Sequence, residues 1–557
     1  MKPSQIDVDG IMTSLGDSKF FHMTQYIMLC IPVLIVSTNS FFYVYFATTP
    51  EYRCNNLTEF QLSQYNISIN EEVNLLYDKC SIDITNTDGE VTGENRTLDC
   101  LNGYYYTTPV DKSIVSQWDL VCNKEGLAES TQIFYIVGQM ISGLISPYLI
   151  ERFGRKPVRV SSSALLIIFN LFGAFSPFYY LFAAMRFFIG ILREAFLLSS
   201  TTLVCELYPK EKRIIMSGIF MNVWSFSNCL VGFIAYMLKD YNWNALFLFN
   251  AALSGYFIVD FIFLQESVRW LIATSKMKAA EKIVKKAAKQ NKVDFDTIWH
   301  ITLKDISTST QQTASPVNET NLDGRNCESN VEANAKAVVN QSQLEVEKQA
   351  PMLEKLIVIF KSPYLRKVTI VMSIVWAVDL TSSNSIMLMS EAFGESVYIV
   401  YPTICLLEIL TNSLYAFSAK RFGHKITLEC FKTFSAACVI TASLIKLLAE
   451  QDETMKYVCL VLFVVTGSTL NGACSGDIIY ISELFPTEIR SAGTGFATIF
   501  IRIVGLSSPY FRLLILNIPW APGVIIGTGC IISSILLHIY LPETGNRALP
   551  QKIEDVI

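Results

Sequence analysis

Four ionisable residues stand deep inside apolar stretches of this chain, at matched distances from a flanking charge. Glu194 lies twelve residues from Glu206, Asp379 twelve from Lys367, Glu408 twelve from Lys420 and Arg502 twelve from Arg490. At ~1.5 Å of helical rise per residue, each would sit about 18 Å below the end of its helix. A charge at the centre of a bilayer costs about 2.5–3.5 kcal/mol even on the lenient insertion scale, so each of the four is a candidate for function. Four such groups at one height suggest a ring around a central cavity. An arginine there suits a carboxylate, whereas Asp379 and Glu408 suit a cationic group; a zwitterion satisfies both. The competing reading for each is an ion pair that holds helices together, and Glu194, next to Arg193, is the most open to it. Trp376 stands near Asp379 on the same helix, where its ring can stack on an alkylammonium group. Phe42, Tyr43 and Trp224 read as packing in a chain with 36 Phe and 25 Tyr.

The elements that must hold these residues are membrane-spanning helices. The chain has 557 residues, of which 51% are hydrophobic and 17% charged, too apolar for an ordinary soluble protein of this length. Runs of about 20 apolar residues, enough to cross ~30 Å of hydrocarbon, fall at 23–46, 131–150, 157–176, 178–205, 214–237 and 242–264, then at 368–390, 396–418, 426–448, 456–480, 491–516 and 521–541. The expected fold class is therefore an all-α membrane protein with twelve transmembrane helices, six in each half. The first run follows Asp7, Asp9 and Asp17 and is longer than a signal core, so it reads as a retained span.

The halves repeat. Glu206-Leu-Tyr-Pro-Lys-Glu-Lys-Arg213 returns as Glu483-Leu-Phe-Pro-Thr-Glu-Ile-Arg490, an offset of 277 residues (483 − 206), and Glu266 and Glu543 share that offset. Glu151-Arg-Phe-Gly-Arg-Lys156 pairs with Lys420-Arg-Phe-Gly-His-Lys425. Duplicated halves in an apolar chain are a mark of secondary transporters, which rock around a site between them. Arg152, Arg155, Glu206, Arg213, Glu266, Arg269, Glu483, Arg490 and Glu543 are candidates for an inner gate made of ion pairs that form and break as the halves rock; static anchoring at the membrane surface is the competing reading.

Short loops rich in Arg and Lys stay in the cytoplasm, which places Arg152, Arg155 and Lys156 inside, together with Lys420, Arg421 and Lys425. Both termini, 1–22 and 542–557, then face the cytoplasm. The loop at 47–130 faces out, with sequons at Asn56, Asn66 and Asn95 and with Cys54, Cys80, Cys100 and Cys122, as suits an oxidising exterior. Four cysteines allow three pairings. Between the two bundles, 23–264 and 367–541, lies a cytoplasmic linker, 265–366. It begins with lysine-rich surface helices at 272–304 and continues in a polar stretch, 305–350, expected to be disordered.

Phrases along nearly the whole chain resemble one family. Thr49-Pro-Glu-Tyr-Arg-Cys54, Ser116-Gln-Trp-Asp-Leu-Val-Cys122, Glu151-Arg-Phe-Gly-Arg-Lys156, Glu266-Ser-Val-Arg-Trp-Leu271, Glu483-Leu-Phe-Pro-Thr-Glu-Ile-Arg490 and Leu541-Pro-Glu-Thr544 resemble the organic ion transporters of solute carrier family 22, within the major facilitator superfamily. The resemblance implies the major facilitator fold, two six-helix bundles, a glycosylated plasma-membrane location, and alternating-access movement of small organic cations, anions or zwitterions. Arg502 fills a position that the resemblance assigns to anion and carnitine recognition, while Glu408 and the Trp376/Asp379 pair resemble the cation and carnitine branches. The mixture points to a carnitine-like zwitterion. Glu151, Pro147 and Lys420 depart from the superfamily's loop phrase, and Asp477 has no assigned role.

Net charge is −5 with no basic tail, which excludes nucleic acid as a partner. Four scattered His residues and no spaced Cys/His cluster argue against a metal site, and no phosphate-cradling loop suggests an ATP-driven pump. The expectation is a carrier and not an enzyme, with no cofactor and with sodium or proton coupling left open by the sequence, whose partners are small organic ions and the lipid bilayer; a monomer suffices. An organic-anion exchanger ranks second, an organic-cation facilitator third, and a receptor that binds without transporting last.

Overall fold

The computed structural model describes residues 8–16, 19–64, 73–86, 97–295, 299, 352–390, 397–448, 452–485 and 489–543. All twelve expected runs are helical. Eleven stretches among the described residues are long and apolar enough to span: Phe20–Phe46 (span 1), Cys122–Phe153 (span 2), Arg155–Ala174 (span 3), Ile215–Met237 (span 5), Asn244–Phe263 (span 6), Pro363–Leu388 (span 7), Val397–Phe422 (span 8), His424–Leu448 (span 9), Thr454–Ile481 (span 10), Ala492–Asn517 (span 11) and Ala521–Tyr540 (span 12). Span 4 is the 29-residue helix Tyr179–Leu207, which carries Arg186, Arg193 and Glu194. Large apolar side chains such as Phe172, Phe233, Leu410 and Ile532 are exposed on the outside of the bundle, where lipid is their natural solvent.

Span 6 runs as two pieces, Asn244–Ser254 and Phe257–Phe263, and spans 1 and 11 are broken beside prolines. Span 1 consists of Phe20–Cys30, Val33–Phe41 and Tyr43–Phe46, interrupted first at Pro32, which has no amide hydrogen to donate to the ladder. Span 11 consists of Arg490–Gly505 and Tyr510–Asn517, joined by a turn that ends at Pro509. The break sets Arg502 in the last turn of the first piece, where the helix C-terminus favours a cation. It also sets Arg512 in the first turn of the second.

Within the first half, span 4 packs on spans 2 and 3; within the second, span 9 packs on spans 10 and 12. Spans 2 and 4 touch backbone to backbone. A Cβ at Gly138 would strike the carbonyl of Phe187, and one at Gly190 the carbonyl of Tyr135, so small residues set the approach. The halves meet mainly through span 5 against span 8, and also through span 2 against span 11.

The segment between spans 1 and 2 carries a two-stranded sheet, β1 (Tyr52–Cys54) with β5 (Tyr104–Tyr106), and a three-stranded antiparallel sheet of β2 (Val73–Tyr77), β3 (Ser81–Asn86) and β4 (Thr97–Asp99). Of the three pairings open to its cysteines, the fold selects Cys54–Cys100 and Cys80–Cys122. The phrase around Trp118 anchors this loop: the ring lies 5.2 Å from Phe182 and 5.7 Å from Trp243, whose indole nitrogen donates to Gln117. The first bridge closes 46 residues, so Cys54→Ser with Cys100→Ser should cost the loop about 4 kcal/mol by the chain-entropy relation. Lowered surface expression and loss of the corresponding linked peptide in non-reducing mass spectrometry are the readouts.

The opposite face of the bundle, which bears the linker, carries helices Val268–Ala273, Met277–Asn291 and Met352–Lys361. The expected lysine-rich surface helix is Met277–Asn291, with Ala280, Val284, Ala287 and Ala288 buried. The stretch 305–350 lies outside the described residues. Sequence reading did not anticipate helix Val8–Leu15, whose Ile11, Met12 and Leu15 are buried on helical spacing. Asn291 ties it down, donating to the Leu15 carbonyl at 2.8 Å and accepting from the Phe21 amide at 2.9 Å.

Candidate functional site

Arg502 bridges the two halves. From span 11 it donates to Gln139 Oε1 on span 2 at 2.7 Å and to Glu194 Oε1 on span 4 at 2.9 Å. Glu194 takes a second pair through its other oxygen, from Arg193 at 2.7 Å, and the Arg193 guanidinium lies 5.3 Å from the centre of the Trp224 ring. Glu194 and Arg193 are buried, while the Arg502 side chain keeps 24% of its surface exposed. Two guanidinium groups and one carboxylate leave the cluster with one net positive charge. The positive charge has an open side at Arg502, where an anion could pair with it.

Glu408 occupies a second crossing. On span 8, it accepts from Ser225 of span 5 at 2.8 Å, and Asn412 donates to the same hydroxyl at 3.2 Å. Ser475 of span 10 extends the chain by donating to Asn412 at 3.1 Å. Glu408 Oε2 is buried without a hydrogen-bond partner. Trp224 and Ser225 are adjacent on span 5, so that helix touches both crossings.

Asp379 stands apart from both. It is fully buried and paired with Lys432 of span 9, which also donates to Ser533 of span 12 at 3.2 Å and lies 3.9 Å from Asp477 of span 10. Trp376, one turn away, is partly buried against the core of the second half. The structure thus brings Glu194 to Arg502, gives Glu408 its own crossing, and sends Asp379 into the second bundle.

On the side that bears span 2's first turn, the halves are closed. Arg512 donates to Glu129 at 2.8 Å and to Thr49 at 3.2 Å, with both charged side chains almost fully buried. Tyr45 stacks on Tyr398 at 5.3 Å, and Phe41 meets Tyr401 at 5.7 Å. On the linker side, the ion pairs among the described residues run within a half. Arg155 pairs with Glu206 at 2.7 Å, and Arg269 pairs with Asp9 at 2.5 Å while donating to the carbonyls of Glu206 and Tyr208. Glu266 accepts from the amides of Ser267, Arg155 and Lys156 at 2.9–3.1 Å, capping the start of span 3. Burial pushes its carboxyl above the usual range, against those same donors. Glu543 does the corresponding work at span 9, meeting the amides of Lys425 and Ile426 at 3.5 and 3.4 Å. Glu483 faces His424 at 3.6 Å. Arg152 donates to the Tyr148 hydroxyl at 2.7 Å. The side chains of Arg213 and Arg490 lie outside the described residues, as do Asn66 and Asn95; Asn56 is exposed on its loop.

Reading the sequence by depth missed several buried charges. Lys432 lies eight residues into span 9, shallower than the ring of four, and Glu129 and Arg512 lie near the opposite ends of their helices. Arg159 pairs with Asp260 at 2.8 Å, and Arg186 reaches Gln132 while lying 4.3 Å from the centre of the Tyr135 ring. Any Lys or Arg inside an apolar run was the signal available for these.

Residues 126–509, more than half of the chain, match the Major Facilitator Superfamily. The chain belongs to that superfamily. Its fold agrees: the inward-open xylose transporter XylE from E. coli superposes with a TM-score of 0.61 at 13% identity, over 96% of this chain and 98% of that one. The resemblance to solute carrier family 22 read from the motifs is borne out by full-length relatives. Organic anion transporter 3 of Oryctolagus cuniculus is 26% identical over 98% of this chain and 92% of its own length. Solute carrier family 22 member 6 of Pseudopleuronectes americanus is 24% identical over 98% and 94%. An organic cation transporter protein of Drosophila melanogaster is 23% identical over 98% and 94%. This is a multi-pass membrane protein of a transporter superfamily, and neither its family nor its fold is that of an enzyme.

Proposed function

We propose that this superfamily member moves small organic ions across the plasma membrane by alternating access, with carnitine-like zwitterions as its preferred cargo. The observation that carries the reading is the Arg502 bridge. A carboxylate that takes the guanidinium away from Glu194 and Gln139 exchanges one charge-assisted pair for another. The same exchange unlinks span 11 from spans 2 and 4, so binding the cargo frees the halves to rock. The cationic end of a zwitterion has Glu408 and the rings of Trp224 and Trp376 as partners. Relatives named for anions and for a cation support a site that takes both signs. In this reading the segment with the disulfides faces outward and both termini face the cytoplasm. Glycans sit on Asn56, Asn66 and Asn95, and the same peptide mapping that checks the disulfides checks their occupancy.

The net positive charge of the Arg193, Glu194 and Arg502 cluster favours a second reading, an organic-anion exchanger. A cation facilitator ranks third. A receptor without transport fits poorly with two preserved sets of gate phrases. Uptake of labelled carnitine by cells expressing the chain, with sodium present or replaced, is the test. Uptake above control supports the zwitterion carrier, and its sodium dependence separates sodium from proton drive. No uptake despite confirmed surface expression sinks the carnitine proposal and moves the assay to labelled organic anions.

A further inference from the structure

We infer that Asp379, Lys432 and Asp477 form a site for one exchangeable proton, buried in the second bundle and separate from the Arg502 bridge. The inference rests on the carrier reading and supplies its driving ion. All three side chains have no exposed surface. Two carboxylates and one ammonium sum to one net negative charge, which membrane-buried surroundings penalise strongly.

The geometry shows where that charge is neutralised. Lys432 gives its hydrogen bonds to Asp379 and Ser533, and neither oxygen of Asp477 accepts from any donor. Asp477 Oδ2 instead lies 3.9 Å from the ammonium that Asp379 already holds, so two buried carboxyls share one cation, and a proton on the pair is what removes the charge left over. The other titratable groups that face the cluster are Tyr415 on span 8, Cys474 and Tyr480 on span 10 and Cys530 on span 12. Thiols and phenols are ordinarily neutral at pH 7, so they leave the sum unchanged. Protonation forms one O–H bond on the carboxyl pair. Release returns that proton to water and leaves the negative charge for Lys432 to hold alone.

Asp379 is one turn from Trp376 on span 7, and Asp477 is on the helix whose Ser475 joins the Glu408 chain. A shift of span 7 against span 10 within the second bundle as cargo binds changes the spacing of the carboxyl pair, which couples the proton to transport.

The test uses the full-length protein in lipid. Infrared difference spectra at neutral pH should contain a protonated-carboxyl carbonyl band that both Asp477→Asn and Asp379→Asn remove, because either variant leaves one carboxylate balanced by Lys432. If Asp477→Asn does not fold, Asp379→Asn and a pH titration of the wild-type band decide. A band kept by the variants, no such band in the wild type, or a band abolished by sodium at fixed pH overturns the site. In proteoliposomes an inward proton gradient should raise accumulation of labelled carnitine by up to about tenfold per pH unit for one proton per cargo. Asp477→Asn should bring it down to the level seen without a gradient, and gradient-independent uptake by the wild type overturns the coupling. The infrared arm needs no cargo, so failure of every uptake assay strikes the carrier reading and leaves the proton site decided on its own evidence.

Discussion

Arg502→Ala should remove uptake of carboxylate-bearing probes while sparing that of a simple organic cation. Truncating one partner of a hydrogen-bonded charge pair in a dry site costs about 2–5 kcal/mol, and the 24% exposure of the Arg502 side chain places the effect toward the lower end. A loss of roughly 30- to 160-fold in Vmax/KM for the anionic probe follows from about 2–3 kcal/mol. Arg502→Lys should not restore it, because a compact ammonium lacks the planar fork of two nitrogens that reaches Gln139 and Glu194 and that matches a carboxylate bidentately. Glu194→Gln should act in the opposite direction. It keeps a hydrogen-bond acceptor for Arg502 but withdraws the charge that competes with an incoming carboxylate, so the KM for anions should fall. Kinetics corrected for surface expression separate the outcomes. An equal loss for anions, cations and zwitterions in Arg502→Ala would assign the residue to the scaffold instead of the cargo.

Lys432→Met should be the most destabilising single change in the second bundle. It removes the one ammonium from beside two carboxylates with no access to water, and breaking a buried pair in this way costs about 3–5 kcal/mol. The loss should appear as a lower midpoint in thermal unfolding of the purified protein and as poor surface expression. Adding Asp379→Asn to Lys432→Met should recover part of it, since the double variant leaves one carboxyl to neutralise instead of two. A double variant no more stable than Lys432→Met alone would mean that packing around the lysine stem, and not charge, sets the stability of this cluster.

Arg502 and Lys432 also differ in how well the sequence announced them. Arg502 stood at a depth that drew attention, and the structure placed it between the halves. Asp379 stood at the same depth but turns into its own bundle toward Lys432. Counting residues from a helix end gives depth, because the rise per residue is fixed. The direction in which a side chain points depends on how that helix is rotated against its neighbours, and those neighbours are distant in sequence: Arg502 and Glu194 are 308 residues apart. The gate phrases divide similarly. Their repetition was plain in the sequence, but the capping of spans 3 and 9 by Glu266 and Glu543 required two segments more than 100 residues apart to meet.

The sequence by itself determined the membrane class, the twelve helices and the duplicated halves. Each of these is local: a run of about 20 apolar residues must cross hydrocarbon as a helix wherever it lies in the chain, since unpaired backbone groups are too costly there. Pro32 and Pro509 stand at the breaks in spans 1 and 11, but Pro147 and Pro402 sit inside unbroken helices, so proline chemistry by itself did not announce the breaks. Tertiary structure alone decided which charges meet, which cysteines pair and which side of the bundle is closed. In a low-dielectric interior a charge must find its partner, and packing between distant helices chooses that partner.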